Sequence, residues 1–338
     1  MSKTMGEHPL VSRFDTVLAD LDGVVYRGST ALPYAVESIN AIDSSIRVGY
    51  ITNNASRTDV SVAEHLRALG LHASPDDVVT SPQAAVALLS TLVPLGSTIL
   101  VVGGPGLAEV VEGGGFEVTR SALDRPAAVV QGFSPEVGWT QLAEAAFALG
   151  GYEATTEIPW VATNTDWTIP QARGVAPGNG TLVSAVHTAV GRLPVVAGKP
   201  EVAIFRAALE RFGSTNAVMV GDRLDTDILG ANRAGIASVQ VLTGIDQPKQ
   251  LLAAQPNERP TYILEDLRGL LEPYPETVVA QAGASVITTV GDASVSLTGQ
   301  TIRIERGSGV NLVRAGCATI WNSGMAIYAL DVPAELYS

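Results

Sequence analysis

Short runs rich in valine and isoleucine alternate along the chain with longer segments in which apolar residues recur at helical spacing. The short runs predict strands at DTVLAD, IRVGYITNN, STILVVGG, AAVVQGF, LPVVAGKP and NAVMVGD. The longer segments predict helices at LPYAVESINAI, DVSVAEHLRALG, WTQLAEAAFALGG and residues 201–212. Near-continuous apolar strands separated by helices are typical of a parallel sheet covered on both faces. We therefore predict an α/β fold with a doubly wound parallel sheet.

This pattern restarts along the chain and then changes, which predicts three domains. Residues 1–80 and 190–274 are predicted to form one α/β domain, and residues 81–189 a second α/β domain inserted into it. In residues 275–338 short apolar runs are separated by glycine-containing breaks, as in SVITTVGDASVSLTG, TIRIERGSG, VNLVRAGCATIWNSG and MAIYAL. Such breaks favour antiparallel hairpins, so a small β-rich C-terminal module is expected.

Charge and cysteine content narrow the classes of function. The 338 residues carry a formal net charge of −13, so we expect neither a nucleic acid nor a membrane surface as a partner. The uncharged stretch 84–102 is interrupted by Pro94 and Gly96, which favours a helix, a turn and a strand over a membrane span. The single cysteine, Cys317, is predicted to be buried and suits a reducing cytosol. Residues 1–14 lack the pattern of a signal peptide, so a cytoplasmic location is expected.

Polar loops follow four of the predicted strands, in TVLADLDG, VGYITNN, PVVAGKP and AVMVGDRLDTD. The carboxyl ends of parallel strands lie along one edge of a sheet, which is where ligands bind. We therefore expect the residues in these loops to meet in space despite their wide separation along the chain. They are Asp20, Asp22, Thr52, Asn53, Asn54, Lys199, Asp222 and Asp227.

The chemistry of these residues suits phosphoryl transfer. Asp20 can attack phosphorus as a nucleophile, and Asp22 can protonate the leaving oxygen and then deprotonate water. Clustered carboxylates repel a phosphate, so we predict a Mg²⁺ cofactor with Asp20 and Asp222 as ligands. Lys199 offers a positive charge to the phosphoryl oxygens. The Thr52 hydroxyl and the amides of the two asparagines after it are expected to hold the remaining oxygens.

In this order, DLDGVV, TNN, GKP and GDRLDTDI resemble the four motifs of the haloacid dehalogenase superfamily of phosphatases. More narrowly, they resemble its NagD-like, p-nitrophenylphosphatase branch, and the resemblance covers residues 14–270. It implies a Rossmann-like core in which Asp20 is the nucleophile and Asp22 the acid and base. It also implies that the Asp22 carbonyl and Asp222 bind Mg²⁺, that Thr52 and Lys199 contact phosphate, and that Asp227 supports the metal ligands from behind.

The resemblance extends to the other two domains. Residues 81–189 are similar to the large α/β cap of this branch, with ATNTD (162–166) and PGNGTLVSAV (177–186) as cap sequences. The whole chain is most similar to actinobacterial glycerol-3-phosphate phosphatases, whose tail resembles a truncated acetyltransferase-type domain. This implies Mg²⁺-dependent hydrolysis of a small phosphorylated metabolite in glycerol metabolism. Glycerol 3-phosphate is the leading substrate, and phosphoglycolate and p-nitrophenyl phosphate are alternatives.

Several alternatives stay open from the sequence. One is a bifunctional protein whose tail is an acyl-CoA transferase, although RAGCA is too short and apolar for a pyrophosphate loop. Another is a binding protein that kept the fold and lost turnover, against which the complete set of catalytic groups weighs. Asp222 and Asp227 could instead cap a helix, and Asp166 and Trp167 could contact the substrate or only end a strand. The sequence also leaves a homo-oligomer open.

Overall fold

The computed structural model describes residues 8–55, 57–150, 157–171 and 173–337. It divides the chain into two compact units. Unit 1 contains residues 1–48 and 215–338, and unit 2 contains residues 49–214. No signal peptide is predicted in residues 1–14. Residues 1–7 of that segment lie outside the described residues. The domain boundaries expected near residues 80, 190 and 275 stay a prediction.

A buried strand of unit 1 leads directly to Asp20. After a 3-10 turn at Leu10–Arg13, the elements of unit 1 are β1 (Thr16–Ala19), β2 (Tyr26–Arg27), β3 (Thr30–Ala31) and α1 (Ala35–Asn40). All four residues of β1 are buried, as the apolar run before Asp20 predicts. The next strand, β4 (Arg47–Thr52), contains the boundary between the two units.

Unit 2 contains a five-stranded parallel sheet. After β4, the elements of unit 2 are α2 (Asp59–Ala68), β5 (Val78–Thr80), α3 (Ser81–Leu92), β6 (Thr98–Val102), α4 (Pro105–Gly113), β7 (Glu117–Thr119), β8 (Ala128–Gln131), α5 (Trp139–Gly150), β9 (Trp160–Ala162), β10 (Thr168–Gln171), β11 (Gly174–Pro177), α6 (Asn179–Val190), β12 (Val195–Val196) and α7 (Val202–Phe212). The sheet has the order β12-β9-β8-β6-β7 with parallel neighbours. β4 pairs with β5 in parallel, and β10 with β11 as an antiparallel hairpin.

The uncharged stretch 84–102 of unit 2 confirms the prediction of a helix, a turn and a strand. It contains the rest of α3, a turn and β6. Among the described residues, no helix has both the length and the apolar character needed to cross a bilayer. One face of the five-stranded sheet is packed against α5 and α6 through a core that includes Val129, Trp160 and Val183.

The chain returns to unit 1 and completes a parallel sheet, which confirms the predicted α/β class. The returning elements are β13 (Ala217–Gly221), a π-helical turn (Leu224–Ile228), α8 (Leu229–Ala234), β14 (Ala237–Val241), α9 (Pro248–Leu252) and β15 (Tyr262–Leu264). Within unit 1 the strands run in the order β15-β14-β13-β1, and all three pairings are parallel. Because β1 and β13 are parallel neighbours, the residues that follow them lie at the same edge of the sheet.

The C-terminal module confirms the predicted hairpins but also contains a helix. Its elements are β16 (Thr277–Ala282), β17 (Ser285–Val290), β18 (Ala293–Thr298), β19 (Thr301–Arg306) and α10 (Gly309–Ser323). The four strands form an antiparallel sheet in chain order, and α10 packs on β17 and β18. The prediction of strand at VNLVRAGCATIWNSG is therefore wrong, and MAIYAL contains a 3-10 turn at Ile327–Ala329 instead of a strand.

The physical reason for this error lies in the apolar spacing of α10. Leu312, Val313, Cys317 and Ile320 are buried and lie on one helical face. A short apolar segment with several β-branched residues does not distinguish a buried helix from a buried strand. Cys317 is fully buried, as predicted. Burial raises the pKa of its thiol well above the usual value.

Candidate active site

Three aspartates of unit 1 come together where β1 and β13 end. The Asp20 N–H donates to the Val220 carbonyl over 2.9 Å, which places Asp20 beside the end of β13. One carboxylate oxygen from each of Asp20, Asp222 and Asp227 lies within 4.8 Å of the other two. Asp222 and Asp227 are buried, and Asp20 is half-buried. We refer to these residues as the three-aspartate group.

Asp222 is held from several sides by the backbone and by a buried amide. Its Oδ2 accepts the Ile245 N–H at 2.7 Å, and its carbonyl accepts Gln240 Nε2 at 2.8 Å. A Cβ on Gly23 or Gly244 would overlap the Asp222 carboxylate, and Gly23 has a φ of 86° that favours glycine. The absence of side chains at these two glycines therefore leaves the space that the carboxylate fills.

Asp227 is tied to the turn that follows β13. Its Oδ2 accepts the N–H groups of Asp222 and Arg223, both at 3.2 Å. A Cβ on Gly221 would overlap the Asp227 side chain. The carboxylate of Asp227 therefore stabilises the backbone that carries Asp222, in addition to lying near the other two acids.

The three-aspartate group suits a divalent cation by its chemistry. Three carboxylates within 4.8 Å repel one another when charged, and a bound cation removes that repulsion. Carboxylate oxygens are the hard ligands that Mg²⁺ takes in proteins, usually with one or two carboxylates bound directly. The residues present therefore fit the predicted Mg²⁺ ion.

Asp22 is not a member of this group, and its side chain is exposed. Its Oδ1 accepts the Gly28 N–H over a long 3.4 Å, and its backbone forms a bridge with Tyr26. The carboxylate is therefore positioned at the surface of unit 1, where a proton can be exchanged with solvent.

In unit 2, Asn53 binds the main chain of Lys199 on both sides. The Lys199 N–H donates to Asn53 Oδ1 at 2.8 Å, and Asn53 Nδ2 donates to the Lys199 carbonyl at 3.0 Å. Both residues are buried, although they are separated by 146 positions along the chain. A Cβ on Gly198 would come too close to Asn53 Oδ1, so the glycine of GKP makes room for this contact.

The sequence ATNTD (162–166) joins the same hydrogen-bond network. Asn53 Nδ2 also donates to Asp166 Oδ1 at 3.1 Å, and the Asp166 N–H donates to Asn164 Oδ1 at 3.1 Å. The Asn53 carbonyl accepts Asn164 Nδ2 and Ser81 Oγ, both at 2.7 Å. Both polar atoms of the Asn53 side chain thus bind protein groups, which favours a structural role for that side chain.

Thr52 and Asn54 flank Asn53 in different environments. Thr52 is buried, and its Oγ1 accepts the Asn54 N–H at 3.1 Å. The side chain of Asn54 is exposed. Of the predicted site residues, Asp20, Asp22, Asp222 and Asp227 therefore belong to unit 1, and Thr52, Asn53, Asn54 and Lys199 to unit 2. That both sets act on one phosphate stays a prediction.

The loop after β14 contributes residues that the sequence analysis missed. Thr243 Oγ1 donates to the Gly23 carbonyl at 2.6 Å, and the Arg27 guanidinium donates to the Thr243 carbonyl at 2.9 Å. Asp246 Oδ2 accepts the Leu224 N–H at 2.7 Å. The signal was a polar loop, TGIDQ, directly after a strand that contains a buried glutamine. The rule applied to the other four strand ends would have found it.

Burial and neighbouring charges shift the pKa of the Asp246 carboxyl. Burial raises the pKa of the Asp246 carboxyl, and the negative charges of Asp225 and Asp227 raise it further. The hydrogen bond from the Leu224 N–H and the charge of Arg223 oppose this shift without cancelling it. At a given pH, the Asp246 carboxyl is therefore protonated more often than that of a solvated aspartate.

Comparison with known proteins gives matches over most of the chain. Residues 17–117 match the family described as haloacid dehalogenase-like hydrolase, and residues 196–270 match a HAD-hydrolase-like family. The D-glycerol 3-phosphate phosphatase of Mycobacterium tuberculosis is 42% identical over 319 residues, which are 94% of this chain and 88% of that protein.

Two solved structures show how far the likeness of fold extends. The crystal structure of glycerol phosphate phosphatase from Mycobacterium tuberculosis in complex with magnesium has a TM-score of 0.83 and 38% identity, covering 98% of this chain and 97% of that one. The p-nitrophenyl phosphatase from Archaeoglobus fulgidus has a TM-score of 0.69 and 26% identity, covering 77% of this chain and 98% of that one. The first likeness therefore includes the C-terminal module.

Proposed function

This chain belongs to the haloacid dehalogenase-like hydrolases and is a phosphatase, and we propose that it hydrolyses glycerol 3-phosphate through an aspartyl-phosphate on Asp20. The observation that carries the proposal is the three-aspartate group at the ends of β1 and β13. The 42% identity to a D-glycerol 3-phosphate phosphatase over 94% of the chain supports the substrate.

In the proposed mechanism Asp20 and Asp22 divide the chemistry. A carboxylate oxygen of Asp20 forms a bond to phosphorus as the bond from phosphorus to the glycerol oxygen breaks. Asp22 gives its proton to the leaving oxygen. Asp22 then takes a proton from water, which attacks the phosphorus, releases phosphate and regenerates the Asp20 carboxylate. The exposure of Asp22 supports this role, because it must meet both the leaving group and water.

The proposed Mg²⁺ ligands are the Asp20 and Asp222 carboxylates and the Asp22 carbonyl. When bound, the ion would neutralise negative charge on the carboxylates and the phosphate. Asp227 is proposed to act from behind, because its Oδ2 already accepts two backbone N–H groups of the turn. Gly23 and Gly244 leave the space that the Asp222 carboxylate fills, and the Ile245 N–H would hold its Oδ2 in place as charge changes around it.

Thr52 and Lys199 are the proposed phosphate contacts in unit 2. Both are buried polar residues, and each is tied to the TNN turn by a hydrogen bond. Holding the main chain of Lys199 at two points reduces the freedom of the residue before substrate binds, which favours charge stabilisation of the phosphoryl group.

A substrate panel with Mg²⁺ tests the proposed activity. Glycerol 3-phosphate should give a higher kcat/KM than phosphoglycolate, p-nitrophenyl phosphate or sugar phosphates. A higher kcat/KM for phosphoglycolate would refute the substrate assignment, and no phosphate release from any of these esters would refute turnover itself.

A second experiment tests the intermediate. Mass spectrometry of enzyme quenched in acid during turnover should find phosphate on the peptide that contains Asp20. Asp20→Asn keeps the shape of the side chain and should lose both the phosphorylated peptide and the activity. An Asp20→Asn variant that turns over at the wild-type rate would show that another residue is the nucleophile.

A further inference from the structure

The four-stranded sheet of the C-terminal module has two different edges. β19 carries Arg303, Glu305 and Arg306, and the Ile302 N–H donates to the Asp331 carbonyl at 2.9 Å, so a later segment covers part of this edge. The opposite edge is β16, which contains no charged residue and no proline. Charges and covering segments are the usual protection of a strand edge against pairing. β16 has no charged residue, and its six residues are exposed among the residues that the structure describes.

The hairpin of β16 and β17 shows which backbone groups of β16 face outward. Ala282 pairs with Ser285 across a two-residue turn. In such a hairpin the closing pair and every second pair after it exchange hydrogen bonds within the hairpin. The N–H and C=O groups of Thr277, Val279 and Gln281 therefore point away from β17. Within the described part of the chain, these outward groups make no hydrogen bond to another backbone group.

The side chain of Val279 continues the buried face of the sheet to this edge. Val279 pairs with Thr288, which in turn pairs with Val295 in the buried core beneath α10. Val279 is 51% exposed, and Val278, on the other face of the sheet, is 56% exposed. The face that α10 covers at Val295 thus ends in the exposed Val279, beside backbone groups that point outward from the sheet.

We propose that β16 pairs with β16 of a second copy of this chain, antiparallel about a two-fold axis at Val279. In that register Val279 lies opposite Val279, Thr277 opposite Gln281, and Val278 opposite Ala280. The outward N–H and C=O groups of residues 277, 279 and 281 supply the hydrogen bonds between the strands. The two sheets form one antiparallel sheet of eight strands, with both copies of α10 on the same face.

The sequence of β16 favours a second copy over a foreign strand. A two-fold interface must be complementary to itself, and this register brings no charge opposite a like charge. The neutral residues of β16 offer no charge by which an acidic or basic peptide would be selected. The valine pair at the axis adds apolar burial at the centre of the interface.

Sedimentation velocity of the full-length chain at micromolar concentrations tests this dimer. The wild-type chain should sediment as a dimer. Val279→Lys places two ammonium groups opposite each other, and Val279→Glu two carboxylates, so each should raise the dimer dissociation constant about tenfold or more. An equal mixture of the two variants should recover the dimer. Val278→Lys is the matched control: it adds the same charge to a similarly exposed valine that lies opposite Ala280, and it should retain the dimer.

Circular dichroism melts of each variant show whether its sheet remains folded. Retention of the wild-type melting temperature together with loss of the dimer supports the proposal. A monomeric wild-type chain would overturn it, even if another protein's strand were found on β16. Equal weakening by Val278→Lys and Val279→Lys would also overturn it, because the proposed axis distinguishes the two positions.

Discussion

Asn53→Asp perturbs the link between the TNN turn, Lys199 and the cap sequence without changing side-chain shape. The variant keeps an acceptor for the Lys199 N–H but loses both bonds that Asn53 Nδ2 donates, at 3.0 Å to the Lys199 carbonyl and 3.1 Å to Asp166 Oδ1. It also places a second carboxylate against Asp166. The network should therefore change from two donated bonds to two repulsive contacts between oxygen atoms, one with the Lys199 carbonyl and one with Asp166 Oδ1.

The expected cost follows from these contacts. Leaving a buried acceptor without its donor costs about 1–3 kcal/mol, and losing a bond to a charged group costs about 1.5–3 kcal/mol. The two losses share one side chain and do not add fully, so the free energy of unfolding of unit 2 should fall by about 2–4 kcal/mol. The facing carboxylates raise each other's pKa, so the folded variant binds protons more tightly than the unfolded chain. Its deficit should therefore shrink as pH falls towards the acid range.

Urea unfolding followed by tryptophan fluorescence measures this change, because Trp139, Trp160 and Trp167 all lie in unit 2. The double variant Asn53→Asp with Asp166→Asn should recover part of the loss, since the new amide can donate to the new carboxylate. Asn54→Asp makes the same charge change on the adjacent exposed residue and should cost less than about 0.5 kcal/mol. An Asn53→Asp variant as stable as wild type would refute the reasoning. A double variant no more stable than the single Asn53→Asp variant would refute it as well.

Three further predictions concern unit 1. Gly244→Ala should raise the Mg²⁺ concentration needed for half-maximal activity by about tenfold or more, because the added Cβ overlaps the Asp222 carboxylate. Gly113→Ala is the control, since its added Cβ meets open space. An unchanged Mg²⁺ requirement in Gly244→Ala would contradict the prediction. Asp222→Asn should abolish the heat of Mg²⁺ binding in calorimetry, whereas Asp225→Asn on the exposed side of the same turn should retain it. Equal loss of that heat in both variants would count against the three-aspartate group as the Mg²⁺ site. Because burial raises the pKa of Cys317, a thiol reagent such as DTNB should label it at pH 8 only after unfolding, and labelling of the folded chain at the rate of a free cysteine would disprove this.

The strand ends were predictable because the evidence for them is local. An apolar run that stops at an aspartate identifies a buried strand and the residue at its carboxyl end, and parallel topology then brings such ends together. This reasoning predicts that Asp20 and Asp222 lie at the same edge of the sheet, and their carboxylate oxygens do lie within 4.8 Å of each other. It required no knowledge of the roughly 200 residues between them.

The network around Asn53 and the helix α10 were not predictable for different reasons. The bonds of Asn53 to Lys199 and Asp166 join residues 146 and 113 positions apart, and nothing in the sequence near Asn53 specifies those partners. In α10 the difficulty is local, because valine, threonine and isoleucine favour strands while the spacing of Leu312, Cys317 and Ile320 fits a helix. Packing against the sheet decides between these two preferences.

The interruption of unit 1 by residues 49–214 has a consequence for synthesis on the ribosome. β1 is complete at Ala19, but its partner β13 begins only at Ala217. At about 5–20 residues per second, the growing chain carries β1 for about 10–40 s before β13 exists. Unit 2, which is continuous in sequence, can form its sheet during that delay. We therefore expect the edge of β1 that binds β13 to stay unpaired until unit 2 has been synthesised.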